Sequence, residues 1–361
     1  MVYLDNAAST CPSPTVVQTL SDLIYTYGNP SSIHEYGREA FRLLTNSKET
    51  IREKIKADKN DNLLFTSGAT MSNNVFIQGF MNKYPKAVLI TSTIEHKDIL
   101  LLADYLEKHG REVYTIPVYQ DGTICEGTLD NICWQMKKEH KTFLCSIQAA
   151  NGECGVVQDY QMISKIVRMY GGIYHSDMTQ YLPYYPIDLS YLDAFSMSGQ
   201  KIQCIKGTGL LYIRNGIEID PIIFGEQGLI GGTENVLGIA CLSTAFELLK
   251  YDNTKMIQLR DKMFDTLKPY GRILGSVQKR LPNNVYVSFD RPMVSLLNNF
   301  GIMTSAGSAC AKAEPSHVIL AMGYEEETAR NAVRFSLSNM TTDDDIDKAI
   351  EAVKRVLWIK E

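Results

Sequence analysis

Short apolar runs, each closed by a polar turn, alternate with helix-period stretches through the first two thirds of the chain. Asn62-Leu63-Leu64-Phe65-Thr66, Ala87-Val88-Leu89-Ile90-Thr91, Thr142-Phe143-Leu144-Cys145-Ser146, Gly172-Ile173-Tyr174-His175 and Gly209-Leu210-Leu211-Tyr212-Ile213 are apolar on both faces. Such runs predict strands of a mainly parallel sheet whose two faces are both covered by helices. Between them, Ala40, Leu44, Ile51 and Ile55 fall on one stripe at helical spacing. The alternation predicts a doubly wound α/β domain.

Near Cys241 the rhythm changes. A helical stretch from Ile239 to Leu249 leads into an alternating segment, Val285-Tyr286-Val287-Ser288-Phe289. The chain closes on Ile346, Ile350, Val353 and Leu357, at helical spacing behind a Thr342-to-Asp345 capping signal. This pattern predicts a large domain over 14–244, and a smaller α+β domain formed by 245–361 together with 1–13. There are no internal repeats and no low-complexity tract.

The predicted strands end in SGAT, STIEH, QAANGE and HSDMTQ. Ligands of open α/β sheets bind outside the carboxyl ends of the strands, so polar side chains are expected to converge at that edge. Composition narrows the classes further. At 361 residues, 45 % hydrophobic and 21 % charged, the chain is a globular protein too long for one small core. A net charge of −5 gives no general attraction to nucleic acid or anionic lipid. No basic-then-apolar leader and no membrane-length apolar run is read, so the cytoplasm is the expected location. The eight cysteines are scattered without C-x-x-C spacing. That argues against a zinc knuckle, a dithiol motif and a disulfide framework, so no metal is expected and any functional cysteine acts alone.

One stretch resists an ordinary reading. In SMSGQKIQCIKGTGLLYI, Lys201 follows an apolar run that ends in small residues, with a glycine-lined turn behind it. A loop lysine is ordinarily a solvated surface group; this placement also suits a lysine that condenses with a carbonyl cofactor. Four opening segments, YLDNAAST, GNPSSIHEYGREA, FTSGATMSNN and TIEHKDIL, decide between the two. They are followed in order by GECGVVQDY, HSDMTQ, SGQKIQCIKGTGLLYIR, GGTENV, SAGSACAKAEPSHVILAMG and VRFSLSNMTTDDDID. This colinear series, spanning nearly the whole chain, resembles the cysteine desulfurases, enzymes of the class V aminotransferase, fold type I architecture that use pyridoxal 5′-phosphate (PLP).

The resemblance implies a role for each matching residue. Lys201 becomes the cofactor lysine, with small Ser198 and Gly199 beside it to let the aldehyde approach. Asp177 would keep the pyridine nitrogen protonated and Gln180 would bond the phenolic oxygen. Gly68, Ala69 and Thr70 match a phosphate-binding turn at a helix N-terminus, with Ser198 as a further donor. Thr233 matches a phosphate ligand lent by the partner subunit, which implies a homodimer with shared sites. His96 matches the histidine stacked on the cofactor that moves protons, although a lone histidine is more often structural. Arg334 matches the guanidinium that holds the substrate carboxylate. Asn6 borders the same pocket, and Asn29 is a weaker candidate. Cys310, in GSAC, matches the mobile-loop cysteine that takes sulfur as a persulfide; its glycine, serine and alanine neighbours predict an exposed loop rather than a buried thiol.

Several positions depart from the family pattern. Gln200 replaces the usual histidine before the lysine, and an amide still donates to phosphate. Gly152 replaces an asparagine, leaving Asn151 one position early as the candidate substrate contact. Met71 stands for a glutamate, and Gln227 and Ile230 stand where arginines are common. Only Ala311, Lys312 and Ala313 separate Cys310 from EPSH, a shorter tether than usual, and Lys312 is placed to lower the thiol pKa. The resemblance implies conversion of L-cysteine to L-alanine, with sulfur passed to an acceptor protein for iron–sulfur assembly or tRNA thiolation. The alternatives are another class V reaction, such as a selenocysteine lyase or an aminotransferase, or a catalytically weakened binding partner. A dinucleotide enzyme is disfavoured, since no G-x-G-x-x-G follows an early strand.

Overall fold

In the computed structural model the described residues are 1–226, 228–307 and 314–358. Gln227, Cys310 and Lys312 therefore lie outside them. The strands in chain order are β1 (Val2–Tyr3), β2 (Asn62–Thr66), β3 (Val88–Ser92), β4 (Val113–Ile116), β5 (Phe143–Ser146), β6 (Ile173–Asp177), β7 (Ala194–Ser198), β8 (Gly209–Ile213), β9 (Arg272–Ile273), β10 (Asn284–Ser288), β11 (Ile302–Met303) and β12 (Ala332–Ser336).

The main sheet runs in the order β2-β8-β7-β6-β5-β3-β4. All pairings from β7 to β4 are parallel, whereas β8 is antiparallel to both β7 and β2. The reversal has a covalent cause. Only residues 199–208 connect β7 to β8, and a parallel return needs a crossover of about a dozen residues or more. Two strands escape the apolar-run pattern. In β7, Ser196 interrupts the run and its hydroxyl pairs with His175 Nε2 at 2.9 Å, while β4 is a half-covered edge strand carrying Tyr114 and Thr115.

Helices cover both faces. Glu35–Ile55 turns Ala40, Ile51 and Ile55 inward, as its stripe predicts. Val236–Glu247 is buried on nearly every side. Fully buried Phe143, Phe195 and Tyr174 lie on one side of the sheet and Phe76 and Phe80 on the other, each contributing roughly 1.5–3 kcal/mol by removal from water.

A second core gathers Val2 and Leu4 with Leu259, Met263, Val285, Val287, Phe335, Ile350 and Val353. It lies between the β12-β10-β9 sheet and the helices Thr254–Leu267 and Asp343–Trp358. The last helix opens on the expected box: Thr342 N donates to Asp345 Oδ2 at 2.9 Å, and Asp345 N to Thr342 Oγ1 at 3.2 Å. The alternating segment supplies β10, and all five of its residues are buried. Tyr286 points away from the helices into a separate cluster with Cys154, Val318 and Ile319.

The N-terminal segment joins the two cores. β1 pairs in parallel with β11. Beyond it, Ser336 N donates to Leu4 O at 2.7 Å and Ala7 N to Ser336 Oγ at 2.9 Å. Farther along, Thr10 N reaches Gln200 O at 3.0 Å and Ser13 N reaches Gln203 O at 2.9 Å. The segment is thus a strap from the end of β12 to the 3-10 turn Gly199–Lys201. No helix among the described residues is long and apolar enough to cross a membrane, and none of their His, Cys, Asp and Glu side chains cluster to hold a metal.

Candidate active site

The strap roofs a cavity of about 370 Å³ beyond the carboxyl ends of the main-sheet strands. Its walls bring together Gly68, Ala69, Thr70, His96, Asp177, Gln180, Ser198, Gln200, Lys201 and Arg334. These come from the ends of β2, β3, β6 and β7 and from β12, as ligand binding at strand ends requires.

At one end, helix Ala69–Lys83 begins on Gly68 without a side-chain cap. Its first-turn N–H groups and positive dipole end are therefore open to an anion. Gly68 has φ +153°, and a Cβ there would lie 3.4 Å from Ser198 Oγ, so glycine keeps the hydroxyl and the amides on one concave surface. Gly199 has a different duty from the one expected. Its missing Cβ would sit 2.3 Å from Thr208 Oγ1 and 3.0 Å from Leu242. The glycine lets the turn pack against β8 and the helix behind it, rather than opening a path to Lys201.

At the centre, Asp177 is buried and accepts only from neutral donors, Asn73 Nδ2 at 3.0 Å and Thr179 N at 2.9 Å. Burial, followed by the nearby Asp98 charge, raises its carboxyl above the usual range. Among the described residues it has no ion-pair partner, so a protonated ring nitrogen would supply the missing cation. Lys201 Nζ donates to the carbonyls of Ala7 at 2.7 Å and Ala8 at 2.5 Å. Gln180 Nε2 donates to the same Ala7 carbonyl at 3.0 Å. An open anion cradle, an unpaired buried carboxylate and a lysine between them fit a phosphorylated pyridine aldehyde.

His96 stands at the cavity rim, where its ring caps helix Lys97–Lys108. Nδ1 lies 2.8 Å from Asp98 Oδ1 and 3.3 Å from the Asp98 amide, so whether Nδ1 carries a proton decides which it engages. The Asp98 hydrogen bond holds the histidine pKa above its ordinary value, against partial desolvation. Burial opposes the Asp98 charge, but His96 keeps that carboxyl below its usual range.

At the far end, Arg334 is 2 % exposed. Nη2 donates to Asp5 Oδ1 at 2.7 Å and Nη1 to the Gly152 carbonyl at 2.7 Å. Its Nε–H is buried without an acceptor among the described residues, and the side chain lines the cavity.

Other expected contacts fall elsewhere. Asn151 lines the cavity but spends its amide locally: Nδ2 donates to Ile94 O at 2.8 Å, while Oδ1 accepts from Glu153 N and Cys154 N. Its polar atoms hold the turn rather than face a substrate. Asn6 is buried outside the cavity, its amide on Ser336 O at 2.9 Å. Asn29 accepts from Ser31 N in an exposed turn. Thr233 lies in a second cavity, of about 440 Å³, whose walls share Ser67, Met71 and Gly207 with the first. At Gly152 a Cβ would come 3.0 Å from Gln180 Nε2, so the bare backbone leaves the glutamine its place.

Three acidic groups escape sequence reasoning. Glu95 lies fully buried in the cavity wall, accepting from Ser92 Oγ at 2.5 Å and Gln148 N at 3.0 Å, and burial raises its carboxyl far above the usual range. Glu153 accepts from Ser316 Oγ at 2.5 Å. Asp5 backs Arg334. All three sit inside quoted motifs, TIEH, GECG and YLDN, but motif position alone does not separate a wall carboxylate from a catalytic one.

The family description Aminotransferase class-V matches residues 2–349. The chain is 36 % identical to the cysteine desulfurase IscS of Methanosarcina thermophila, over 99 % of this chain and 92 % of that protein. A solved NifS-like protein superposes with a TM-score of 0.91 at 30 % identity, covering 99 % of both chains. A structure of SspA in complex with cysteine superposes with a TM-score of 0.81 at 30 % identity, covering 93 % of this chain and 99 % of that one.

Proposed function

Since the chain belongs to the class-V aminotransferases, and among them to the cysteine desulfurases, we propose the following division of labour for its residues. The protein is a PLP-dependent cysteine desulfurase. When bound, the cofactor supplies an electron-withdrawing ring that stabilises negative charge developing on the substrate beside it. Everything else falls to the chain.

Lys201 anchors the aldehyde end, Asp177 the ring nitrogen and Gln180 the phenolic oxygen. Gly68, Ala69, Thr70, Ser198 and Gln200 hold the phosphate, with Thr233 reaching the site of a partner copy. Arg334 takes the α-carboxylate of L-cysteine through its guanidinium. His96 exchanges protons through Nε2, the ring nitrogen that Asp98 does not engage. Cys310 attacks the substrate sulfur: an S–S bond forms as the Cβ–S bond breaks, the carbon keeps the electron pair and gains a proton, and L-alanine leaves. The persulfide then passes to an acceptor protein, in iron–sulfur assembly or tRNA thiolation.

The observation carrying this reading is the convergence of Asp177, Lys201 and Arg334 on one cavity, with a helix N-terminus at its end. The homodimer is supported by Thr233 lying outside the first cavity, in a second one that shares part of its wall. Residues 14–244 form the cofactor domain, with 1–13 and 245–361 the smaller one; the cytoplasm is the proposed location, without direct nucleic-acid or membrane contact. The test is direct. Cofactor-loaded protein given L-cysteine should yield alanine, sulfide on reduction, and a Cys310 peptide heavier by one sulfur atom. Borohydride should fix the cofactor to Lys201. A cofactor band without alanine would overturn the reading.

A further inference from the structure

The roof of the cavity does more than close it. Asp5 forms a parallel bridge with Ser336, two residues beyond Arg334 on the same strand. Successive alternate residues of a strand share a face, and the Asp5 carboxylate accordingly reaches Arg334 Nη2 at 2.7 Å. Ser305 pairs with Arg334 through the backbone, and β10 flanks its other edge. The guanidinium can therefore turn only about its own side-chain bonds.

Two contacts stop that rotation. Gly152 O takes Nη1 and Asp5 Oδ1 takes Nη2, while Nε–H is buried without an acceptor among the described residues. Because the guanidinium is a rigid planar fork, pinning both terminal nitrogens determines which edge faces the cavity. The strap that carries Asp5 also lends the Ala7 and Ala8 carbonyls to Lys201. A few residues of backbone thus fix the carboxylate anchor relative to the lysine amine.

Resting on the desulfurase reading of the site, we propose that Asp5 is a positioning residue for substrate recognition: it holds the Arg334 guanidinium in the orientation in which it meets the α-carboxylate. Asp5 does not line the cavity and touches no reacting atom. The competing view is an ordinary ion pair that merely stabilises the fold, and the two views predict different measurements.

The test uses cofactor-loaded protein and the change of its visible absorption on titration with L-cysteine or with cysteamine, which lacks the carboxylate. Asp5→Ala should weaken L-cysteine binding roughly 10- to 100-fold, the loss expected when a hydrogen bond to a charged group is removed. Cysteamine binding should stay as in the parent, and KM should move far more than kcat. Asp5→Asn, whose amide oxygen still accepts from Nη2, should restore most of the affinity. The proposal is overturned if Asp5→Ala binds both ligands equally worse, if it binds L-cysteine as well as or better than the parent, or if Asp5→Asn fails to recover while remaining folded by its melting temperature. Failure of the desulfurase reading is a separate event: the parent would bind L-cysteine yet release neither alanine nor sulfide, with the binding ratios still deciding the role of Asp5.

Discussion

The cofactor side of the cavity and the substrate side are built by different means. Gly68, His96, Asp177 and Ser198 each stand at or just beyond the end of a strand in one sheet, so the fold of a single core delivers them together. Arg334 comes from the second core, and its partner Asp5 is 329 positions away in sequence. One side is a set of independent strand-end groups; the other is a single ion pair suspended on a strap. Damage to the first should abolish chemistry, whereas damage to the second should cost affinity.

Lys201→Ala should break the first side most severely. We expect turnover to fall at least about a thousandfold, with the cofactor lost on gel filtration, as read from absorbance and alanine release. Arg334→Lys strikes the second side. An ammonium cannot serve Asp5, Gly152 O and a carboxylate with the geometry of a fork, so KM for L-cysteine should rise roughly 10- to 100-fold while the cofactor band persists. If that variant also lost its cofactor, the two sides would not be separable. Asp98→Asn should act least, and only through His96. The Asp98 hydrogen bond raises the His96 pKa, and a base must be neutral, so activity should climb as pH passes through that raised value. Removing the carboxylate charge should move this acid limb to lower pH, with little loss at the plateau, as measured by a kcat/KM profile. For stability the sign is opposite: what the charged pair contributes is present below the ordinary histidine pKa and lost as pH rises through the raised one.

The same contrast explains what the sequence discloses. β2 and β8 follow their apolar runs residue for residue: β8 is buried on both faces, and β2, at the edge of the sheet, pairs with it along its whole length. β7 does not, since Ser196 and Ser198 serve His175 and the cavity rather than the core. The reversed direction of β8 was equally invisible in hydrophobicity; it follows from the short 199–208 link. Among the site residues, Gly68, Thr70 and Asp177 belong to compact motifs whose geometry is local. Asn151 and Asn6 have their amides on backbone carbonyls, and an amide reads the same in sequence whether it faces a ligand or a carbonyl. Asp5 was passed over for a related reason: its significance is a contact with a residue near the other end of the chain. Cys310 lies outside the described residues, and its part rests on the family pattern and on the proposed persulfide measurement.

That long-range contact has a consequence for how the protein is made. With Leu4 bonded to Ser336 and Asp5 to Arg334, two segments separated by 329 positions must meet before the site is complete. Closing so large a loop is slow and comes late in folding. The amino-acid anchor is therefore absent from any nascent chain that has not grown past residue 336, and sulfur chemistry cannot begin on it.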